Sequence, residues 1–323
     1  MKKIVPLKFM FGALVSFCIF IDAQAKDIDQ VKDKDQACVK GDADCRLVGD
    51  WEFGLIVGLG GRTNPLVNGD DQPIILVPQF SWYGEHFFVE NFEFGFTFID
   101  KPAHMFNFLV QPGFDHIYFD DISLGNFTLD LNLGGGGYSG AEYISNGPSI
   151  TDGSSDDPST IPLPGRDIPQ VDLIDDIKSR KIAFLGGFEY SYYRGNWQNQ
   201  IQALSDVSGV HGGNEFRISS AYHLQNNSSL YTFAVGLAWQ SEALLDYYYG
   251  IDQGEIDSAP TLAFEAKAGV SGFAKFSWEK KLNDRWSLLS TLQYRKLDSS
   301  LVASPLVEES GVATAFIGGS YHF

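Results

Sequence analysis

Positive charge is scarce in this sequence. Its 323 residues hold 23 Lys and Arg against 41 Asp and Glu, a formal net charge of −18. No basic patch exists to neutralise phosphates, so nucleic acid is excluded as a partner. Charge of either sign is limited to 20% of residues, while 44% are hydrophobic and 14% aromatic, which is too apolar for a disordered chain. Also missing, after the first 25 residues, is any run near the ~18–20 apolar residues that a spanning helix needs. A helical membrane protein is therefore excluded. The length alone allows one large domain or two ordinary ones.

Cysteine is the third scarcity, with three in the chain. One of them, Cys18, falls in residues 1–25, which read as a secretory signal. Lys2 and Lys3 form the basic start, Phe9 to Ile21 the apolar stretch, and Ala23-Gln24-Ala25 the cleavage site. Phe17 is too bulky to precede a lipid-modified cysteine, which argues against a lipoprotein. Removing this segment takes away three Lys and one Asp, leaving 20 basic and 40 acidic side chains and a charge of −20. Cys38 and Cys45 remain. An even count closing a short loop in an exported protein reads as a disulfide. Zinc is the sharper alternative, but no His or further Cys stands near to complete four ligands. The pair would pin a polar periplasmic arm over residues 26–49.

From Trp51 onward the chain alternates with period two. Trp51, Phe53, Leu55, Val57 and Leu59 share one face; Phe92, Phe94, Phe96 and Phe98 share another; so do Tyr231, Phe233, Val235, Leu237 and Trp239. A strand sends successive side chains to opposite faces, so each segment has one greasy face and one small or polar face. A soluble antiparallel sandwich buries the greasy face. A transmembrane barrel turns it to lipid and keeps Gly, Ser, Thr and Gln inside. Three features favour the barrel. Aromatics mark the ends of the greasy faces as interfacial girdles (Trp51, Trp82, Tyr83, Trp239, Trp278, Trp286, Tyr321). The segments are long enough to cross a bilayer at a tilt. The last segment closes on Phe323 in register with Tyr321, resembling the terminal signal by which outer-membrane barrels engage the barrel-assembly machinery.

The expected fold is thus all-β: a transmembrane antiparallel barrel over residues 50–323 with about twelve strands. Candidates lie near 51–60, 74–83, 87–99, 104–114, 124–134, 181–193, 196–206, 214–224, 229–240, 268–281, 285–297 and 312–323. The fifth is ambiguous. Phe127, Leu129, Leu131 and Leu133 alternate, yet 124–134 also fits a hairpin standing above the membrane, in which case 87–99 must hold two short strands to keep the count even. Short turns (83–86, 194–196, 225–228, 282–285) alternate with longer connections (61–73, 207–213, 240–267, 299–311). Barrels of this membrane have short periplasmic turns and long outer loops, so both termini are expected in the periplasm.

The largest insertion, 135–180, is rich in Gly, Ser, Pro and Asp and reads as an acidic surface loop. Only Arg166, Lys178 and Arg180 face its acids. A solvated, repulsive surface accounts for it. The sharper reading is capture of a divalent cation by Asp152, Asp156, Asp157, Asp172, Asp175 and Asp176, bridging to lipopolysaccharide.

Catalytic signals are weak. Of the six histidines (His86, His104, His116, His211, His223 and His322), no pair has metal-ligand spacing. Asp206 and His211 share one outer loop, where the plain reading is two solvated residues. His223 should face the lumen in a hydrogen-bond network. Gly58 to Gly61 precede no helix and form no phosphate loop. No cofactor is implied. Lumen charges of both signs are expected at Glu52, Glu93, Glu189, Arg217, Lys275, Glu279 and Arg295. Ile56, Leu185, Leu204 and Phe316 should partly fill the interior.

Several stretches carry a family resemblance over roughly 50–323. They are Val77-Pro78-Gln79-Phe80 with Tyr83-Gly84 and Phe87-Phe88; Tyr249-Gly250-Ile251; Asn283 to Leu288; Tyr294 and Leu297; Ala303 to Val307; and the closing Tyr321-His322-Phe323. In this order they resemble the MipA/OmpV family of outer-membrane proteins. The resemblance implies a non-enzymatic barrel acting as a scaffold that links a lytic transglycosylase to a murein synthase. It also allows a surface adhesin or antigen. A small-solute channel is a further alternative. The 135–180 insertion and the 26–49 arm depart from shorter members of the family.

Overall fold

The computed structural model describes residues 49–119, 127, 180–256 and 261–323. Twelve strands close into one antiparallel barrel in which each pairs with its neighbours in sequence and β1 meets β12. They are β1 (Trp51–Arg62), β2 (Gln72–Tyr83), β3 (Phe87–Glu90), β4 (Glu93–Lys101), β5 (His104–Pro112), β6 (Phe184–Arg194), β7 (Trp197–Asp206), β8 (Asn214–Asn226), β9 (Ser229–Gln240), β10 (Gly269–Lys281), β11 (Trp286–Lys296) and β12 (Gly311–His322). Among the described residues two α-helices lie outside the wall: α1 (Glu242–Tyr249) and the single turn α2 (Ser299–Val302).

Alternation decides which face is oily, and the wall inverts the order of a soluble core. Val57, Leu59, Phe188, Val235, Leu237 and Ile317 are exposed on the outside, while Ile56, Leu109, Leu185, Leu204 and Phe316 are buried within. Small clusters fill the lumen: Ile56, Ile74, Val77, Leu289 and Phe316 on one side, Phe88, Leu109, Leu185 and Leu204 on another. Where a side chain would collide with the wall, glycine takes the position. A Cβ on Gly187 would sit 2.0 Å from the Ala203 carbonyl oxygen.

The ambiguity over the strand count resolves in favour of a split 87–99. Asn91 adopts φ 52°, a left-handed conformation that Asn tolerates, and turns β3 into β4. Its amide N–H donates to the Phe80 carbonyl at 2.7 Å and its Oδ1 accepts from Phe80 N at 3.1 Å. β5 pairs directly with β6, so no further strand stands between them in the wall. Apart from Phe127, the segment 124–134 lies outside the described residues. β3 is short, and β2 meets it only at Ser81, Trp82 and Tyr83.

β1 and β12 pair from Gly54–His322 upward, and Trp51 lies opposite Trp82. The start of β1 and the end of β12 therefore lie at one rim, with the short turns; the long connections leave from the other. The signal segment, the 26–49 arm with Cys38 and Cys45, and Asp152, Asp156, Asp157, Asp172, Asp175 and Asp176 all lie outside the described residues.

Candidate functional site: a capped, polar-lined lumen

The long connections build a cap at the loop rim. Helix α1 turns Leu244, Leu245, Tyr248 and Tyr249 to one side, and all four are buried. They pack with Leu66, Ile117, Tyr118, Ile251, Ile256, Leu301 and Leu306 into one hydrophobic core. That core draws on four separate connections. At α2, the Asp298 carboxylate accepts from Ser300 N at 2.8 Å and Val270 N at 3.0 Å. The structure adds this helix to the 240–267 connection. The helical signal was present in the Leu244, Leu245, Tyr248, Tyr249 spacing.

One buried carboxylate joins the cap to the wall. Asp115 lies in a 3-10 turn, Asp115–Tyr118, that follows β5. Its Oδ1 accepts from the Tyr249 hydroxyl at 3.0 Å and its Oδ2 from Gln240 Nε2 at 2.7 Å. Arg295 Nη2 stands 3.9 Å away and also donates to Gln240 Oε1 at 3.2 Å. Burial, with Asp115 beside it, pushes the Tyr249 phenol well above its ordinary value. Nothing in the alternating pattern marked Asp115. Further ties run from Asn64 Nδ2 to the Tyr118 carbonyl at 3.0 Å, and from Gln72 Nε2 to the Ile117 carbonyl. Arg180, read from sequence as a counter-charge for the acidic insertion, instead donates to Glu255 Oε1 at 2.9 Å and to the Gly250 carbonyl.

Asp206 and His211 are not solvated. The side chains are 0% and 1% exposed. Asp206 Oδ1 accepts from Ser208 N, Ser208 Oγ and Gly209 N, and Oδ2 from His211 N and Gly212 N. It organises a loop and is not free to act as a base. His211 Nδ1 accepts from Gly213 N at 2.8 Å, so the nearby Asp206 Oδ2 at 3.8 Å faces another acceptor and forms no salt bridge with the neutral ring. Burial lowers the His211 pKa, against the pull of Asp206, Asp115 and Glu215.

Below the cap the lumen is polar and internally paired. Glu189 accepts from Asn107 Nδ2 at 3.1 Å and from Gln200 and Gln202 Nε2 at 2.8 Å each. Arg217 forms a two-pronged pair with Glu215 at 2.8 and 2.9 Å. With its amide oriented to suit both neighbours, Gln111 donates to Glu93 and accepts from Arg217. Glu93, Glu189, Arg217 and Lys275 are buried as expected of lumen charges. Glu279 accepts from Ser287, and Glu52, at the open rim, from Ser81. His223 bonds Thr232 and Gln198, the network expected of it.

Trp51 is exposed on the outer face, tilted against Trp82 at 6.2 Å. Trp286 meets Tyr321, which meets Phe323, at the same rim. Trp239 is exposed toward the loop rim, and Trp278 is half-buried on the outer face of β10. Tyr83 corrects the girdle. It follows Trp82 directly, so alternation turns it into the lumen, where it stacks on Phe88 and donates to Glu90 at 2.8 Å.

A family model described as MltA-interacting protein MipA matches residues 57–323. The MltA-interacting protein of Escherichia coli (strain K12) is 23% identical over 147 residues, 46% of this chain and 59% of that protein. Outer membrane protein Omp26La of Vibrio anguillarum is 30% identical over 88 residues, 27% of this chain and 34% of that protein. OmpV of Vibrio cholerae is 29% identical over 88 residues, with the same shares. The chain thus spans 59% of the first of these relatives and about a third of the other two. With the family match running from β1 to the last residue of a closed barrel whose oily face looks outward, the chain belongs to the MipA family and is a β-barrel of the bacterial outer membrane.

Proposed function

We propose that this barrel is a non-enzymatic scaffold of the murein machinery. It would hold a lytic transglycosylase, and a murein synthase with it, at the rim where the chain ends lie. That rim faces the periplasm in this reading, and the short turns and the 26–49 arm form the contact face. The observation that carries it is the cap. A lumen filled by Ile56, Leu185, Leu204 and Phe316 under a second hydrophobic core favours work at surfaces over transport through the middle. The printed name of the Escherichia coli relative agrees with a murein-enzyme partner. Deleting 26–49 should weaken capture of a lytic transglycosylase by the refolded barrel; undiminished capture counts against this face. Planar-bilayer recordings should show no steady unitary conductance, and a stable open level would favour the channel reading.

A surface adhesin is the second reading. The 240–267 connection is anchored in the core it shares with the other long connections and presents Glu242, Asp252 and Glu265 outward, which suits a fixed recognition platform. Loss of cell attachment on deleting 135–180 would favour it.

A further inference from the structure

The register of β4 to β8 brings one row of polar side chains to the lipid-facing side of the wall. Lys101 lies opposite His104, His104 opposite Tyr192, Tyr192 opposite Asn199, and Asn199 opposite Ser220. With strands about 4.8 Å apart, the row extends about 19 Å around the barrel. On its loop side runs an apolar row, Phe106, Tyr190, Ile201 and Ile218. On its terminus side runs Arg194, Trp197 and Tyr222, whose rings stand 4.9 Å apart. Lys101 ends β4 and His104 begins β5, so the row lies beside a rim turn, at the level where polar side chains meet lipid head groups.

Lys101 reaches this face because of a bulge. The β4–β5 register shifts between Thr97 and Ile99, so Phe98 and Ile99 are both exposed outward. The shift turns Lys101 out and leaves Asp100 opposite the inward-facing Met105. An unbroken β4 would do the reverse and put the acid on the lipid face. Lys101 and Arg194 are exposed, and neither has an ion-pair partner among the described residues. Two strand spacings and a two-residue step along the strand separate them, about 12 Å in all, a span two long side chains bridge. Ser220 Oγ donates to Asn199 Oδ1 at 2.9 Å, which leaves the Asn199 amide donors without a partner among the described residues. His104 and Tyr190 share a hydrogen bond of 2.6 Å.

We propose that this row is a binding site for an anionic glycerophospholipid. Lys101 and Arg194 hold the phosphate, the Asn199 amide and Tyr192 hydroxyl meet the ester level, and Trp197 and Tyr222 flank the glycerol. The charge complementarity is local, because the bulge keeps the neighbouring Asp100 off this face.

The test uses the full chain refolded into phosphatidylcholine vesicles carrying spin-labelled phosphatidylglycerol or spin-labelled phosphatidylcholine. The barrel should hold the anionic phosphatidylglycerol preferentially. The double variant Lys101→Gln, Arg194→Gln should reduce that preference about fivefold for each cation removed. Lys280→Gln, at the same rim on β10, should leave it unchanged. Both altered positions are exposed, and heat-modified mobility on gels verifies folding. Equal association of the two lipids, a preference untouched by the double variant, or an equal loss in Lys280→Gln would overturn the site. Displacement of the phosphatidylglycerol by a smaller mole fraction of lipopolysaccharide would also overturn it, by giving the row to a different lipid.

Discussion

In the cap, Leu244, Leu245, Tyr248 and Tyr249 turn inward onto one another; in the wall beneath, Val57, Leu59, Val235 and Leu237 turn outward. One chain thus buries its apolar surface in two directions. The cap is a small soluble core that loses water from its own interior. The wall leaves its oily face to lipid and must satisfy polar groups inside, as Glu189 does with three amide donors. Side-chain packing decides the cap, whereas strand register and hydrogen bonds decide the wall.

Breaking the link between the two should have the largest effect. Asp115→Leu strands Arg295, Gln240 and the Tyr249 hydroxyl together, and removing one member of a buried polar cluster costs about 3–5 kcal/mol. The loss should appear as rapid proteolysis of the 241–256 segment while the barrel keeps its heat-modified mobility. Simultaneous collapse of both would show that cap and wall fold as one unit. Gly187→Ala attacks the wall instead, since its Cβ meets backbone that cannot step aside. A cost of about 1–3 kcal/mol is expected in urea unfolding from vesicles, with cap proteolysis unchanged.

The smallest effect is on pH. His211 is held neutral by burial, so its folded pKa lies below the ordinary 6.5. The folded state then binds fewer protons than the unfolded one. Its contribution is fully present above about pH 6.5 and is lost as pH falls toward the folded value. Protonation also ends acceptance from Gly213 N–H. Amide exchange, corrected for intrinsic rates, should quicken in 207–213 between pH 7.5 and 5.5 and stay level across the wall. His211→Gln should flatten that response, and a wall that responded equally would remove the distinction.

Legibility follows the same division. Period two placed the wall strands, because away from a bulge such as that at Thr97/Ile99 a residue's face follows its parity. Even the split of 87–99 was implied by the need for an even count. Parity also carried an error, in that Trp82 and Tyr83 cannot both face lipid. The cap was largely illegible. Asp115, Arg180 and Asn64 matter through partners more than fifty residues away, and no local spacing encodes those contacts. The polar row on β4 to β8 was hidden for a related reason: it becomes a row only after five strands are set in register.

The brevity of β3 has a mechanical consequence. The first and last strands, where the chain closes on itself, are zipped over nine residue pairs from Gly54–His322 to Arg62–Thr314, but β2 and β3 over three. The weakest hydrogen-bonded seam among the described residues is therefore internal, away from the closure. Pulled apart or heated, this cylinder should tear along Ser81–Tyr83 before its chain ends separate, and a cross-link from β2 to β3 should delay rupture more than one between the terminal strands.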